Sequence, residues 1–365
     1  VLAEFYHGKK VFVTGHTGFK GSWLCEWLLH MGAEVYGYSL SPSTAPSLFE
    51  ELGLEDRVRH NIGDVRDYDF LLSAVERAQP DVVFHLAAQP LVRQAYADPL
   101  ETYSTNVLGT VHLLQALRVL RKPWSSVFIT TDKCYENREW LYGYRENDEL
   151  GGFDPYSSSK ACAELAIQSF RRSYFSKESS ISGAVASARA GNVLGGGDWA
   201  ADRLLPDCIK ALQRGDPILM RNPNATRPWQ HVLEPLSGYL LLAQRIHPLV
   251  SGGASDLCGA YNFGPNVESN RSVKELVEEI VRHMPGQWED RSDPQSPHEA
   301  GLLHLNIDKA WTCLEWQPAW NFEMAVEKTV RWYRLADGCG HEMKTMVKET
   351  VDQIEEYMRD AKLSV

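Results

Sequence analysis

The chain has 365 residues, 44% hydrophobic and 23% charged, enough to bury a large core in one or two soluble domains. Its formal charge of −11 excludes a nucleic-acid surface, which needs clustered Lys and Arg, and no run of about 18 apolar residues is present to span a membrane. Seven scattered cysteines without a C-x-x-C pair, and an opening stretch Val1 to Lys10 without the apolar core of a signal peptide, lead us to expect a cytoplasmic protein with reduced thiols and no metal site.

Lys10 to Thr14 reads as a short buried strand, followed by Gly15-His16-Thr17-Gly18-Phe19-Lys20-Gly21. Trp23, Leu24, Trp27, Leu28 and Met31 then recur at helical spacing, and the helix stops at Gly32. A strand, a glycine-rich turn and a helix make the first half of a dinucleotide site. Glycines admit a pyrophosphate to the backbone, and the free N–H groups of the helix start face its charge. Gly15, Thr17, Gly18, Phe19, Lys20 and Gly21 are therefore cofactor-binding candidates. A second strand, Glu34 to Leu40, ends in Ser39 where an acid would accept from the adenosine ribose, and no arginine follows until Arg57.

A third strand is expected over Val58 to Asp64, a helix over Tyr68 to Ala78, and a fourth strand from Asp81 into Leu86-Ala87-Ala88. Small residues at that strand end suit a flat cofactor close to the backbone. A long helix is expected from Asp98 and Pro99 to about Leu120, a fifth strand from Ser126 to Asp132, a helix from Pro155 to about Ser176, and a sixth strand from Ile181 to Arg189. This alternation predicts an α/β fold with a doubly wound parallel sheet of Rossmann type. Beyond Asn192, Gly195-Gly196-Gly197 and frequent prolines mark a smaller mixed α/β substrate lobe. We therefore expect a dinucleotide-binding domain over 1–192, a substrate lobe over 193–335 with some chain crossing back, and a helical arm over 336–365 that docks or makes an oligomer contact.

Tyr156 and Lys160 are four residues apart and share a helix face. An ammonium close to a phenol lowers the phenol's pKa from about 10, giving a base for an alcohol proton.

Together these features resemble the extended short-chain dehydrogenase/reductase superfamily over roughly residues 8 to 335. Thr14 to Gly21 matches its T-G-x-x-G-x-x-G run, Asp64-Val65 its adenine-contact position, and His85-Leu86-Ala87-Ala88 its H-x-A-A run. Thr105-Asn106-Val107-Leu108-Gly109-Thr110 matches its T-N-V-x-G-T helix, and Arg189 to Val193 and Tyr261 to Gly264 match later segments. The resemblance implies NAD as cofactor, with Asn106, Tyr156 and Lys160 also beside it. Thr131-Asp132-Lys133 is similar to the strand-five end of nucleotide-sugar 4,6-dehydratases, with Lys where Glu is common. Together with Gly195 to Trp199 and Arg227 to Val232, it resembles the branch acting on CDP-glucose.

That resemblance implies Tyr156 as base for the 4-OH, helped by Lys160, with Thr131 on the same oxygen, Asp132 as acid and Lys133 as base at C5. Both of the last two reach the sugar only if the backbone turns at Lys133. Asn192, Arg203 and Arg227 are diphosphate candidates, since arginine matches phosphate oxygens bidentately. Trp199, Trp229 and Tyr261 either stack on the ligand or pack; His231, His298 and Glu299 touch the nucleotide or stand as isolated polar groups. Gln89, Arg93 and Tyr135 are candidates to line the sugar pocket, and Arg189 is expected in a structural ion pair. The helices over 99–120 and 156–176 resemble the pair that forms a four-helix interface in this superfamily, implying a homodimer or homotetramer. A 4-epimerase, a dehydratase of dTDP-, GDP- or UDP-sugars, and a non-catalytic dinucleotide sensor remain open as alternatives.

Overall fold

The computed structural model describes residues 2–176, 181–201, 203–220, 222–252, 256–292 and 302–363. Its centre is a sheet of seven parallel strands: β1 (Lys10–Thr14), β2 (Glu34–Ser39), β3 (Arg59–Ile62), β4 (Val82–His85), β5 (Trp124–Ile129), β6 (Gly183–Ala190) and β7 (Ala260–Phe263). They lie in the order β7-β6-β5-β4-β1-β2-β3, so the chain reverses direction between β1 and β4. That reversal opens a crevice at the carboxyl ends of the strands, where open α/β sheets take ligands. β7 comes from beyond Asn192 and pairs Tyr261 with Ala188 of β6, returning the later chain to the sheet.

The helices used below are α1 (Phe19–His30), α2 (Tyr68–Ala78), α3 (Pro99–Tyr103), α4 (Gly109–Leu117), α5 (Pro155–Ser173), α6 (Leu204–Arg214), α7 (Leu233–Ile246), α8 (Asp308–Leu314), α9 (Phe322–Cys339) and α10 (Met343–Asp360). Apolar side chains cover both sheet faces. Trp23 and Trp27 of α1 join Leu236, Trp332 and Tyr357 on one side. Leu71, Val75, Leu113, Leu117, Trp124 and Phe128 fill the other. Strands buried on both faces carry continuous apolar runs, as in Val82-Val83-Phe84.

The long helix expected to start at Pro99 is real but not uniform. α3 and α4 are joined by a π-helical turn, Ser104–Leu108, that holds Asn106. α10 lies in the arm expected over 336–365, and it packs on its own chain: Met346, Ile354 and Tyr357 are buried, with Tyr357 edge-on to Trp27 at 5.7 Å. Among the described residues no helix is long and apolar enough to cross a membrane.

Candidate active site

The glycine loop is fixed by contacts that leave no room for side chains. Gly15 has φ +74°, and a Cβ there would lie 2.7 Å from the Ala87 nitrogen at the end of β4. A Cβ on Gly21 would strike the Gly15 carbonyl. α1 therefore starts hard against β1, with Gly18 at its N-cap and no side chain capping its first N–H groups. An anion fits there: the first-turn donors are unspent and the helix dipole favours negative charge. This geometry suits the pyrophosphate of a dinucleotide. Phe19 anchors the first turn against Gly195.

Other cofactor candidates sit around this loop. The Thr17 hydroxyl meets the Ser39 hydroxyl at 2.9 Å and donates to the Leu40 carbonyl, which ties the loop to the end of β2. Asp64, beyond β3, is held by Arg66, whose guanidinium donates to both carboxylate oxygens. Burial pushes the Asp64 carboxyl up, but the Arg66 bonds outweigh it and hold the group below its ordinary value. Val65 accepts a hydrogen bond from His112 and packs on Gly109. Leu86, Ala87 and Ala88 are half-buried along the crevice. Asn106 accepts from the Gln89 N–H at 2.9 Å and donates to the Ser159 hydroxyl at 2.9 Å, clamping the β4 loop to α5.

At the end of β5 the chain does turn. Thr131 caps one turn of 3-10 helix over Asp132–Cys134, and its hydroxyl accepts from the Lys133 N–H at 3.3 Å. The extended alternation of side chains ends at Thr131, as the sequence required if both neighbours are to act. Asp132 is buried, its carboxylate against Gly191, where a Cβ would come within 2.7 Å of Oδ2. Burial raises its pKa, while the Lys133 charge, a hydrogen bond from Thr131 and the charges of Lys20 and Arg227 oppose the rise.

α5 presents Tyr156 and Lys160 to the same spot. Asp154 caps the helix by accepting from the Ser157 N–H, and Pro155 opens its first turn. Burial pushes the Tyr156 phenol to about 12, against a hydrogen bond with Thr131 and the charge of Arg203. Burial brings the Lys160 amine down to about 8, opposed by Glu164. The Lys160 ammonium donates to the Ile129 carbonyl of β5 at 3.1 Å, and Thr131 and Arg203 favour the phenolate. Lys20 joins this cluster, its amine lowered to about 8 by burial and by Arg203 and Lys160, against Asp132 and Asp198.

Arg203, bonded to Asp198 at 2.8 Å, and Arg227 thus act electrostatically on the Tyr156–Asp132 region, and Asn192 is exposed just past β6. Several other candidates are structural. His231 is fully buried between Trp23 and Trp320, and burial holds its ring neutral with a pKa of about 3. Trp199 is buried edge-on to Tyr333 and donates to Glu51. Trp229 donates to the Arg271 carbonyl and Tyr261 to the Leu257 carbonyl. Gln89 spends its amide on Leu91 and Thr102, and Tyr135 bonds Asn262 and Arg189, so both shape the walls from behind. Arg93 is exposed on a short helix, Val92–Ala97. His298 and Glu299 lie outside the described residues. Arg189 forms the expected ion pair, with Glu164 at 2.8 Å. Glu164 is the residue sequence reasoning missed: it also accepts from Thr130 and Ser187, holding the end of β5. Its place one turn after Lys160 was the available signal.

Comparison with known proteins agrees with this geometry. The family model described as GDP-mannose 4,6 dehydratase matches residues 12–329. The chain is 48% identical over 338 residues to a CDP-glucose 4,6-dehydratase of Salmonella typhimurium, covering 91% of this chain and 92% of that one. A dTDP-glucose 4,6-dehydratase from Streptomyces venezuelae, solved with NAD bound, has the same fold, with a TM-score of 0.75 at 24% identity over 90% of this chain and 98% of that one. A UDP-glucose 4-epimerase from Thermotoga maritima also reaches 0.75, at 20% identity over 89% and 98%. With a dehydratase family matched across most of its length and a relative 48% identical over 91% of it, the chain belongs to the nucleotide-sugar 4,6-dehydratase family.

Proposed function

We propose that the protein converts CDP-D-glucose to CDP-4-keto-6-deoxy-D-glucose with NAD as a resident redox cofactor. The observation that supports this reading is the 3-10 turn after Thr131, where the Asp132 carboxyl feels both the Lys133 charge and the Tyr156 phenol. An epimerase needs the phenol; only a dehydratase also needs groups for C5 and C6. The relative named for CDP-glucose supports the choice of base. NAD bound along the Gly15–Gly21 loop would supply a hydride acceptor for C4 and a hydride donor for C6.

The chain's own residues do the proton work. Tyr156, its phenolate favoured by Thr131 and Arg203, takes the proton of the 4-OH. The resulting C4 ketone acidifies H5, and Lys133, acting as a free amine, removes that proton. Asp132, whose pKa burial raises, donates to O6 so that the C6–O bond breaks and water leaves. Lys20, Arg203 and Arg227 hold the diphosphate. Residues 1–192 carry the cofactor and 193–335 the sugar nucleotide. Leu100, Leu108 and Leu165, exposed on the helical face of α3 to α5, support a homodimer or homotetramer built on that face. The unpaired, scattered cysteines support a reducing, cytoplasmic setting. Incubation of pure protein with CDP-, dTDP-, UDP- and GDP-glucose tests the function: an alkali-developed 4-keto chromophore is expected with the CDP sugar. A 4-epimer without that chromophore would assign an epimerase, and no product from any sugar would leave a binding protein.

A further inference from the structure

Beside the β6–β7 edge, with no residue of the Asp132 cluster in its lining, is a cleft of about 360 Å³. One wall is α5, where Glu164, Gln168 and Arg171 follow at helical spacing and so share a face. Arg189 of β6, Lys309 of α8 and Glu146 complete the polar lining. Arg189 is nine-tenths buried or more; it bonds Glu164, Tyr135 and the Glu146 carbonyl, yet its Nε has no partner. Among the described residues the half-buried Arg171 guanidinium and Gln168 carboxamide make no hydrogen bond or ion pair. Lys309 donates once, to the Ala260 carbonyl at 2.7 Å, and keeps two protons. Glu146 accepts from the Asn262 N–H and Glu164 is consumed by Arg189, Thr130 and Ser187.

Three cations and two carboxylates thus face one concavity, and the carboxylates are already engaged while donors are left over. A half-buried guanidinium without an acceptor is costly, and a ligand rich in acceptors removes that cost. We infer that this cleft binds the phosphoryl group of a small phosphorylated molecule, at a site separate from the one where the nucleotide sugar reacts. The Arg171 fork matches two phosphate oxygens, Lys309 serves as a point charge for the third, and Gln168 donates at the side.

Calorimetric titration of inorganic phosphate into the full chain, at fixed ionic strength, tests this. One binding event should survive Arg203→Gln, which removes a cation of the reaction site. The same event should weaken by about tenfold or more in Arg171→Gln, the effect of losing one charge-assisted bidentate contact. Lys309→Gln should weaken it too, and the circular dichroism of both variants should match the parent, as should the turnover of Arg171→Gln. Phosphate binding that is lost wholly in Arg203→Gln, or that is unchanged in both Arg171→Gln and Lys309→Gln, overturns the site.

Discussion

At the scale of single residues, the site separates groups that must change protonation from groups that only hold them. At Tyr156 burial outweighs the helping groups and pushes the phenol up to about 12. Its loss should therefore be felt in chemistry: Tyr156→Phe should lower kcat by about 10²- to 10⁴-fold with KM little changed, since affinity comes from the diphosphate contacts. Rapid mixing of enzyme and substrate, watched for reduced nicotinamide, reads this directly, and an unchanged burst would remove Tyr156 as the base. Thr131→Val takes away a hydrogen bond that stabilises the phenolate, so the phenol's pKa should rise further. The limb of the rate that climbs with pH should then move to higher pH. Asp132→Asn and Lys133→Met should instead let oxidation proceed and stall later steps. Reduced cofactor would accumulate, and Lys133→Met would lose solvent deuterium incorporation at C5. The motif residues were legible because each matched a backbone requirement, as Gly15 and Gly21 do. His231, Trp199 and Tyr135 were not, because sequence gives residue type without the direction from which a ring approaches. All three are buried in the core.

At the scale of elements, the order of the strands followed from apolar runs and the start of α5 from Asp154-Pro155, while β5 runs over Trp124–Ile129 and not over the expected Ser126 to Asp132. The π-helical turn at Ser104–Leu108 did not follow from such runs. Nor did the anchoring of α10. Its Tyr357 hydroxyl bonds the buried Glu234 of α7 at 2.6 Å, and the same carboxylate accepts from the Ala319 and Trp320 N–H groups. Only the folded chain brings these together, across more than a hundred residues. Burial raises the Glu234 pKa from 4.5 to about 7, against the opposing hydrogen bonds from Tyr357, Trp320 and Ala319. Folding therefore holds this proton more tightly than the unfolded chain does. The contribution is full below pH 4.5 and is lost as pH rises through about 7. Glu234→Gln keeps an acceptor for the backbone and never ionises, so its Tm relative to the parent should improve steadily across that window. A constant difference would mean that the carboxyl does not titrate on folding. Tyr357→Phe should cost about 1–3 kcal/mol in urea unfolding, because it strands a buried acceptor.

At the scale of the whole molecule, Leu100, Leu108 and Leu165 are 83%, 52% and 54% exposed, a density of bare leucine on one helical face that a second copy would cover. Leu108→Glu with Leu165→Glu should yield monomers in sedimentation, with the circular dichroism of the parent; an unchanged mass would move the interface elsewhere. Against Asp132 and Asp198, the charges of Arg203 and Lys160 both repel Lys20. A diphosphate laid among them relieves that repulsion, so substrate is also a folding ligand. At a concentration one hundred times its Kd it adds about 2.7 kcal/mol to the unfolding free energy. A chain that meets its sugar nucleotide in the cell is for that reason harder to unfold and to degrade than one that does not, and its abundance should follow the supply of its substrate.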